Sequence, residues 1–132
     1  MTLENKICEL VEQFIANKQL QEEVSFHISQ KTIHIAWKHY FIDLNNYICT
    51  IHSNDIRHIK KEHGDEVYHI CKIPDYLEKF ASIERSSTRD RKTGRNIPCL
   101  VFQKRSDNKK IKMVKVNLSR KKVLRLKTLF EV

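Results

Sequence analysis

The hydrophobic period changes along this chain, and that change limits the fold more than any other feature. Leu3, Ile7, Leu10, Val11, Phe14 and Ile15 recur at spacings of three and four, which makes one apolar stripe on a helix. Thr2 is placed to cap that helix, and Glu4 lies in its first turn. Val24, Phe26 and Ile28 then alternate with polar neighbours, as a strand does. A turn is expected at Ser29-Gln30-Lys31, followed by a second alternating run of Ile33, Ile35 and Trp37. Phe41 to Ile51 is ambiguous, a loop or short helix around Asp43 to Asn46 and then a short strand from Tyr47 to Ile51.

Ser53-Asn54-Asp55 signals a helix start, and Gly64 is a natural C-terminal stop for a helix from Asp55 to His63. A second helical stretch runs from Asp65 to Cys71, and Pro74 breaks it or opens a third from Asp75 to Phe80. Ser86 to Asn96 is polar, holds Gly94 and reads as a loop. Three strands follow, Pro98–Lys104, Lys110–Leu118 and Val123–Phe130, with turns at Asp107-Asn108 and Ser119-Arg120-Lys121. The middle one is apolar on both faces, which fits a central strand or a bulge. Helices that lead and strands that close the chain indicate an α+β fold, with the helices packed on one face of an antiparallel sheet of about four to five strands.

The 132 residues suit a single domain, and two Gly and two Pro argue against a long flexible linker. No apolar run is long enough to span a bilayer. Met1 to Lys6 is polar, without the apolar core of a secretory signal, so action in the cytoplasm is expected. Cys8, Cys49, Cys71 and Cys99 form no C-x-x-C pair and read as reduced thiols packed as small apolar groups.

Charge is unevenly placed. Met1 to Glu84 carries 9 Lys/Arg against 13 Asp/Glu, whereas Arg85 to Lys127 carries 16 against 2. A half this basic suits a phosphate backbone, whose binding releases counterions. An anionic membrane competes as partner, but the basic half has no apolar helical face to insert, so no membrane partner is expected. Arg85, Arg89, Arg91, Lys92 and Arg95 read as a phosphate-contacting arm that orders on binding. Arg105, Lys112, Lys115 and Arg125 extend that nucleic-acid surface along the strands. Trp37, Tyr40, Phe41 and Tyr47 could stack on bases, but Trp37 and Phe41 fit a core better.

Seven histidines are present, and His58 and His63 are the most informative. Five residues apart, they are separated by roughly 140° around a helix, so they do not make the H-E-x-x-H zinc pattern. His58 and Glu62 share a face. Metal-independent RNA cleavage needs a base for the ribose 2′-OH, a cation for the charged phosphorane and an acid for the departing 5′-oxygen. Histidine can serve as base or acid near neutrality, and Lys or Arg as the cation. No metal or cofactor is called for.

The run Ser53-Asn54-Asp55-Ile56-Arg57-His58-Ile59-Lys60-Lys61-Glu62-His63-Gly64, then Ile73-Pro74-Asp75 and the closing strands, resembles phage-associated nucleases of the barnase, EndoU, colicin and RelE-like superfamily. The resemblance covers roughly Val24 to Val132, the nuclease-like core. It leaves residues 1–23 as an accessory helix of the same domain. It implies a metal-independent ribonuclease, often a toxin against RNA or tRNA, whose catalytic set is split between helix and sheet. On that pattern His58 and His63 are the helix histidines, Lys104 the strand cation and Thr128 the hydroxyl of the last strand, with Arg85 a looser match for the cation. A toxin of this kind implies an acidic immunity or antitoxin protein as partner. Two other readings stand beside it: a non-catalytic nucleic-acid binder or phage-encoded inhibitor, and a zinc module of His58, His63, His69 and Cys71.

Overall fold

A computed structural model describes residues 2–17, 19–106 and 109–132. The elements run α1 (Leu3–Ala16), β1 (Glu23–His27), α2 (Gln30–Tyr40), β2 (Ile48–His52), α3 (Ser53–His63), a 3-10 segment (Gly64–Lys72), α4 (Ile73–Glu78), β3 (Ser82–Arg89), β4 (Asn96–Ser106), β5 (Lys109–Leu118) and β6 (Val123–Glu131). The fold is α+β. Its sheet has six strands in the order β1-β2-β6-β5-β4-β3. The last four form an antiparallel meander, while β2 pairs with β6 in parallel. The sheet is therefore mixed and larger than the antiparallel one expected. β2 also pairs with β1 in antiparallel, but its parallel partner β6 lies more than seventy residues away, so the pairing that joins β1 and β2 to the meander leaves no local mark. The Asp107-Asn108 turn falls outside the described residues. Among those described, no helix is long and apolar enough to cross a membrane.

Local signals explain most element ends. Thr2 accepts the Asn5 N–H at the start of α1, at 3.1 Å. Ile7, Val11 and Phe14 of its apolar stripe are fully buried. Gly64 ends α3 with φ at 59°, where a side chain would be strained. α3 starts at Ser53, two residues before the expected Asp55, since His52 Nδ1 accepts the Asn54 N–H at 3.0 Å and caps the helix.

Two segments differ from the sequence-based expectation. Ile33, Ile35 and Trp37 lie on α2, not on a strand. Ser29 caps that helix through the Thr32 N–H, and Thr32 Oγ1 donates to the Leu77 carbonyl at 2.7 Å. Thr32, Ile33 and Ala36 are the buried residues, so helical spacing prevails over the alternation beside it. Trp37 and Phe41 are correspondingly 57% and 72% exposed, not core residues. Ser86 to Arg89, expected in a loop, belong to β3, where pairing with Cys99, Pro98, Ile97 and Asn96 holds a polar edge strand in place.

The cysteines also depart from expectation. Cys8 of α1 and Cys71 of the 3-10 segment form a disulfide, and only Cys49 and Cys99 are free. Their separation of 63 residues hides the pairing from the sequence. Arg57 strengthens the same attachment of α1. Its guanidinium donates to the carbonyls of Phe14, in the last turn of α1, and of Asn17 and Leu20 just beyond it.

Candidate nucleic-acid interface

A bulge on β6 changes which side chains of that strand leave the core. Leu124 and Leu126 are buried, and simple alternation would bury Thr128 next. The register instead steps between Val114 and Lys115, so that Lys115 opposes Leu126 and Val114 opposes Thr128. Lys127 is the extra residue, and Leu129 becomes the next buried position. Lys127 and Thr128 both leave the core, and Thr128 is not the core threonine that alternation suggests.

The sheet is also strongly curled. Two strands separate β6 from β3, which in a flat sheet would place them roughly 14 Å apart. That exceeds the reach of one lysine, yet Lys127 Nζ donates to Thr88 Oγ1 on β3. The curl encloses a cleft of about 540 Å³. Ile97, Val116 and Leu118 give it apolar walls, and Arg89, Arg91, Lys92, Arg125 and Lys127 make it cationic.

Helix α3 supplies the remaining wall. Pairing with β2 covers β6 only from Val123 to Arg125. Beyond that point α3 and the 3-10 segment lie alongside β6. Asp55 bonds Arg125 at 2.8 Å, His63 stacks on Phe130 with centroids 5.3 Å apart, and Glu66 accepts the Glu131 N–H at 2.7 Å. This seam brings Asp55 and His58, one turn apart on the helix, into the cleft, where His58 is exposed. Asp90, the other acid there, is satisfied by the Lys92 N–H and the Thr93 hydroxyl. Those bonds, that of the Lys92 N–H foremost, hold its carboxyl below the usual carboxylate range.

The four residues matched to a catalytic set do not converge. His58 lines the cleft. His63 is stacked on Phe130 with Nδ1 3.9 Å from Glu66. Lys104 pairs across to buried Ile111, and its ammonium donates to the Arg105 carbonyl. Thr128 opposes Val114 and is not among the cleft's walls.

The expected phosphate contacts divide as well. Arg89, Arg91, Lys92 and Arg125 line the cleft, and Arg95 lies just beyond it. Arg85 reaches instead to the Phe41 carbonyl at 3.1 Å, while Arg105 and Lys112 lie on β4 and β5 away from the cleft's walls. Lys115 corrects the sequence reading: it is fully buried, with no hydrogen-bond partner for Nζ among the described residues, and cannot meet a phosphate at the surface. The Cys49 thiol is pushed up by burial, with the Lys115 charge opposing that shift.

The turn at residues 90–95 is closed by hydrogen bonds of its own backbone. The Asp90 N–H donates to the Arg95 carbonyl, and the Gly94 N–H to the Asp90 carbonyl. A zinc set of His58, His63, His69 and Cys71 is not assembled either. Cys71 is bonded to Cys8, and the two nitrogens of His69 meet Tyr76 and Glu131 at 2.9 and 2.7 Å.

Lys127, Thr88 and Asp55 were not singled out as site residues from the sequence. Asp55 had an available signal, since it precedes His58 by three residues and shares its helix face. Lys127 had one as well, since it alternates with Leu124 and Leu126 and so shares the outward face of the strand with Arg125. No protein-family model matches this chain, nor does any curated protein or solved structure.

Proposed function

We propose that this protein is a metal-independent endoribonuclease that cleaves RNA by attack of the ribose 2′-OH, leaving a cyclic phosphate. The observation that supports it most is the exposed His58 in a cleft shared with Arg89, Arg125 and Lys127. In this reading His58 removes the 2′-OH proton as the 2′-oxygen attacks phosphorus, the P–O5′ bond breaks and the departing 5′-oxygen takes a proton from water, and the cations of the facing strands hold the charge that gathers on the phosphorane. The guanidinium of Arg125 suits the planar display of phosphate oxygens. RNA, with tRNA among the candidates, is the substrate class. An acidic inhibitor protein would complement the same surface, as a toxin requires.

A non-catalytic RNA binder is the second reading. It is favoured by one observation, that a single histidine enters the cleft while His63 is occupied by Phe130 and Glu66. Incubation with total RNA in EDTA separates the two. The nuclease reading expects new cyclic-phosphate ends that vanish in His58→Ala. Binding without cleavage across several RNA classes would establish the second.

A further inference from the structure

The exposed pair Trp37 and Phe41 stands at the end of α2, with the two rings edge to face and their centroids 6.3 Å apart. Large apolar groups left open together mark a contact surface. The charge beside them has one sign. α2 contains Lys31, His34, Lys38 and His39, all exposed, and no acid. Lys31, His34 and Lys38 lie within about 120° of Trp37 around the helix, so cations and rings share one face. Neither lysine forms an ion pair among the described residues. Asp43, the nearest acid along the chain, is turned into its own loop, where its carboxylate accepts the N–H and the side-chain amide of Asn45.

The backbone at this tip is also satisfied. The Phe41 N–H donates to the carbonyls of Ala36 and Trp37, and the Ile42 N–H to that of Ala36. The Arg85 guanidinium donates to the Phe41 carbonyl at 3.1 Å. Moving the tip out of water leaves none of these groups unpaired.

We propose that α2 seats the protein on an anionic phospholipid bilayer, with Trp37 and Phe41 in the interfacial layer and Lys31 and Lys38 against the lipid phosphates. The basic half has no apolar helical face to insert, but α2 lies ahead of that half and has one. Two other occupants fit this face less well. Rings crossed at 83° present no common plane for successive stacked bases. A protein partner needs a pocket matched to the pair, whereas a bilayer accepts projecting rings without one. Trp37 and Phe41 are not among the walls of the cleft, so the seat does not rest on the ribonuclease reading.

Trp37 is the only tryptophan of the chain, so its emission reports the seat directly. The full chain is titrated with vesicles of phosphatidylcholine alone and of phosphatidylcholine with about one-third phosphatidylserine, whose surface charge attracts basic segments. The expected result is a blue shift, with quenching by brominated lipid chains, on the anionic vesicles only. Phe41→Asn keeps the reporter and suits the left-handed φ of 57° at that position. It should weaken vesicle affinity roughly tenfold. Lys31→Gln/Lys38→Gln should weaken it by about tenfold or more. Thermal melts confirm that both variants fold. An unshifted emission overturns the proposal, even where the protein cosediments with vesicles through its other basic surfaces. So does an equal shift on uncharged vesicles, an unchanged affinity in either variant, or a shift with a single-stranded oligoribonucleotide and none with vesicles.

Discussion

Arg125 of β6 donates from Nε to Asp55 Oδ2 of α3 at 2.8 Å. This pair fastens the helix that carries His58 to the strand that carries the cations. It uses only one of the five guanidinium donors, which leaves the others for a phosphate. The carboxylate is 19% exposed and the guanidinium 43%, so its stabilising worth is about 1 kcal/mol or less. Its importance is geometric. Asp55→Asn is expected to leave the thermal midpoint nearly unchanged and to lower kcat more than it raises KM, since it loosens the position of Arg125. Arg125→Lys should fare worse than its retained charge suggests, because an ammonium cannot bond Asp55 and phosphate in the same planar arrangement.

His58 and His63 should separate cleanly on mutation. His58→Ala is expected to lower cleavage by about 10²–10⁴ with folding and RNA binding retained. His63→Ala removes the stack on Phe130, so it should destabilise the fold by about 0.5–1.5 kcal/mol while the folded variant still cleaves. Chemical denaturation and single-turnover cleavage of both variants check this contrast.

Replacing Lys115 by Met should stabilise the protein. The lysine is fully enclosed beside Ile111 and Met113 on the core face of β5, and its amine has no hydrogen-bond partner among the described residues. An unsatisfied buried donor costs about 1–3 kcal/mol, and methionine fills a similar length without one. A higher denaturation midpoint with unchanged RNA affinity is the expected outcome. Lower affinity would show that Lys115 reaches the ligand.

The disulfide between Cys8 and Cys71 closes a loop of 63 residues and ties α1 to the 3-10 segment. By the chain-entropy relation, its loss should destabilise the fold by about 4 kcal/mol. Cys8→Ser/Cys71→Ser should melt well below the oxidised wild type and lose its sensitivity to reducing agents. Cleavage measured below that melting point should be retained, because neither cysteine lines the cleft.

Glu131 couples the end of β6 to acidity. Its hydrogen bond with His69, reinforced by Lys109, holds its carboxyl below the ordinary glutamate value of 4.5. A depressed carboxylate stabilises the fold fully above its unfolded value, and that stabilisation is lost as pH falls through the lower folded value. Wild type should therefore exceed Glu131→Gln in stability at neutral pH. The difference should shrink as pH falls below about 4.5, the value at which the unfolded carboxyl titrates. Parallel denaturant titrations at several pH values measure that convergence.

Local sequence carried much of the architecture. The three-and-four spacing of α1, the helix ending at Gly64 and the strands after Pro98 each rest on residues near one another in the chain, and each is present. The basic second half was equally plain, because net charge does not depend on packing. The same locality explains the misreadings. The alternation of Ile33, Ile35 and Trp37 was real, but a Ser29 cap and a bond to Leu77 favoured the helix. The disulfide, the parallel pairing of β2 with β6 and the burial of Lys115 all depend on residues far apart in sequence.

By itself, then, the sequence determined an α+β chain with one strongly basic half and a histidine helix ahead of the closing strands. Those properties follow from local periodicity and from additive charge. Only the tertiary structure decided which of those charges share a site. The curl that joins Lys127 to Thr88, the bulge that turns Thr128 out of the core and the Asp55–Arg125 pair place His58 among cations and leave His63, Lys104 and Thr128 elsewhere. The physical reason is that a cleft is made by backbone curvature and register, which arise from long-range pairing and not from the residues at any single strand.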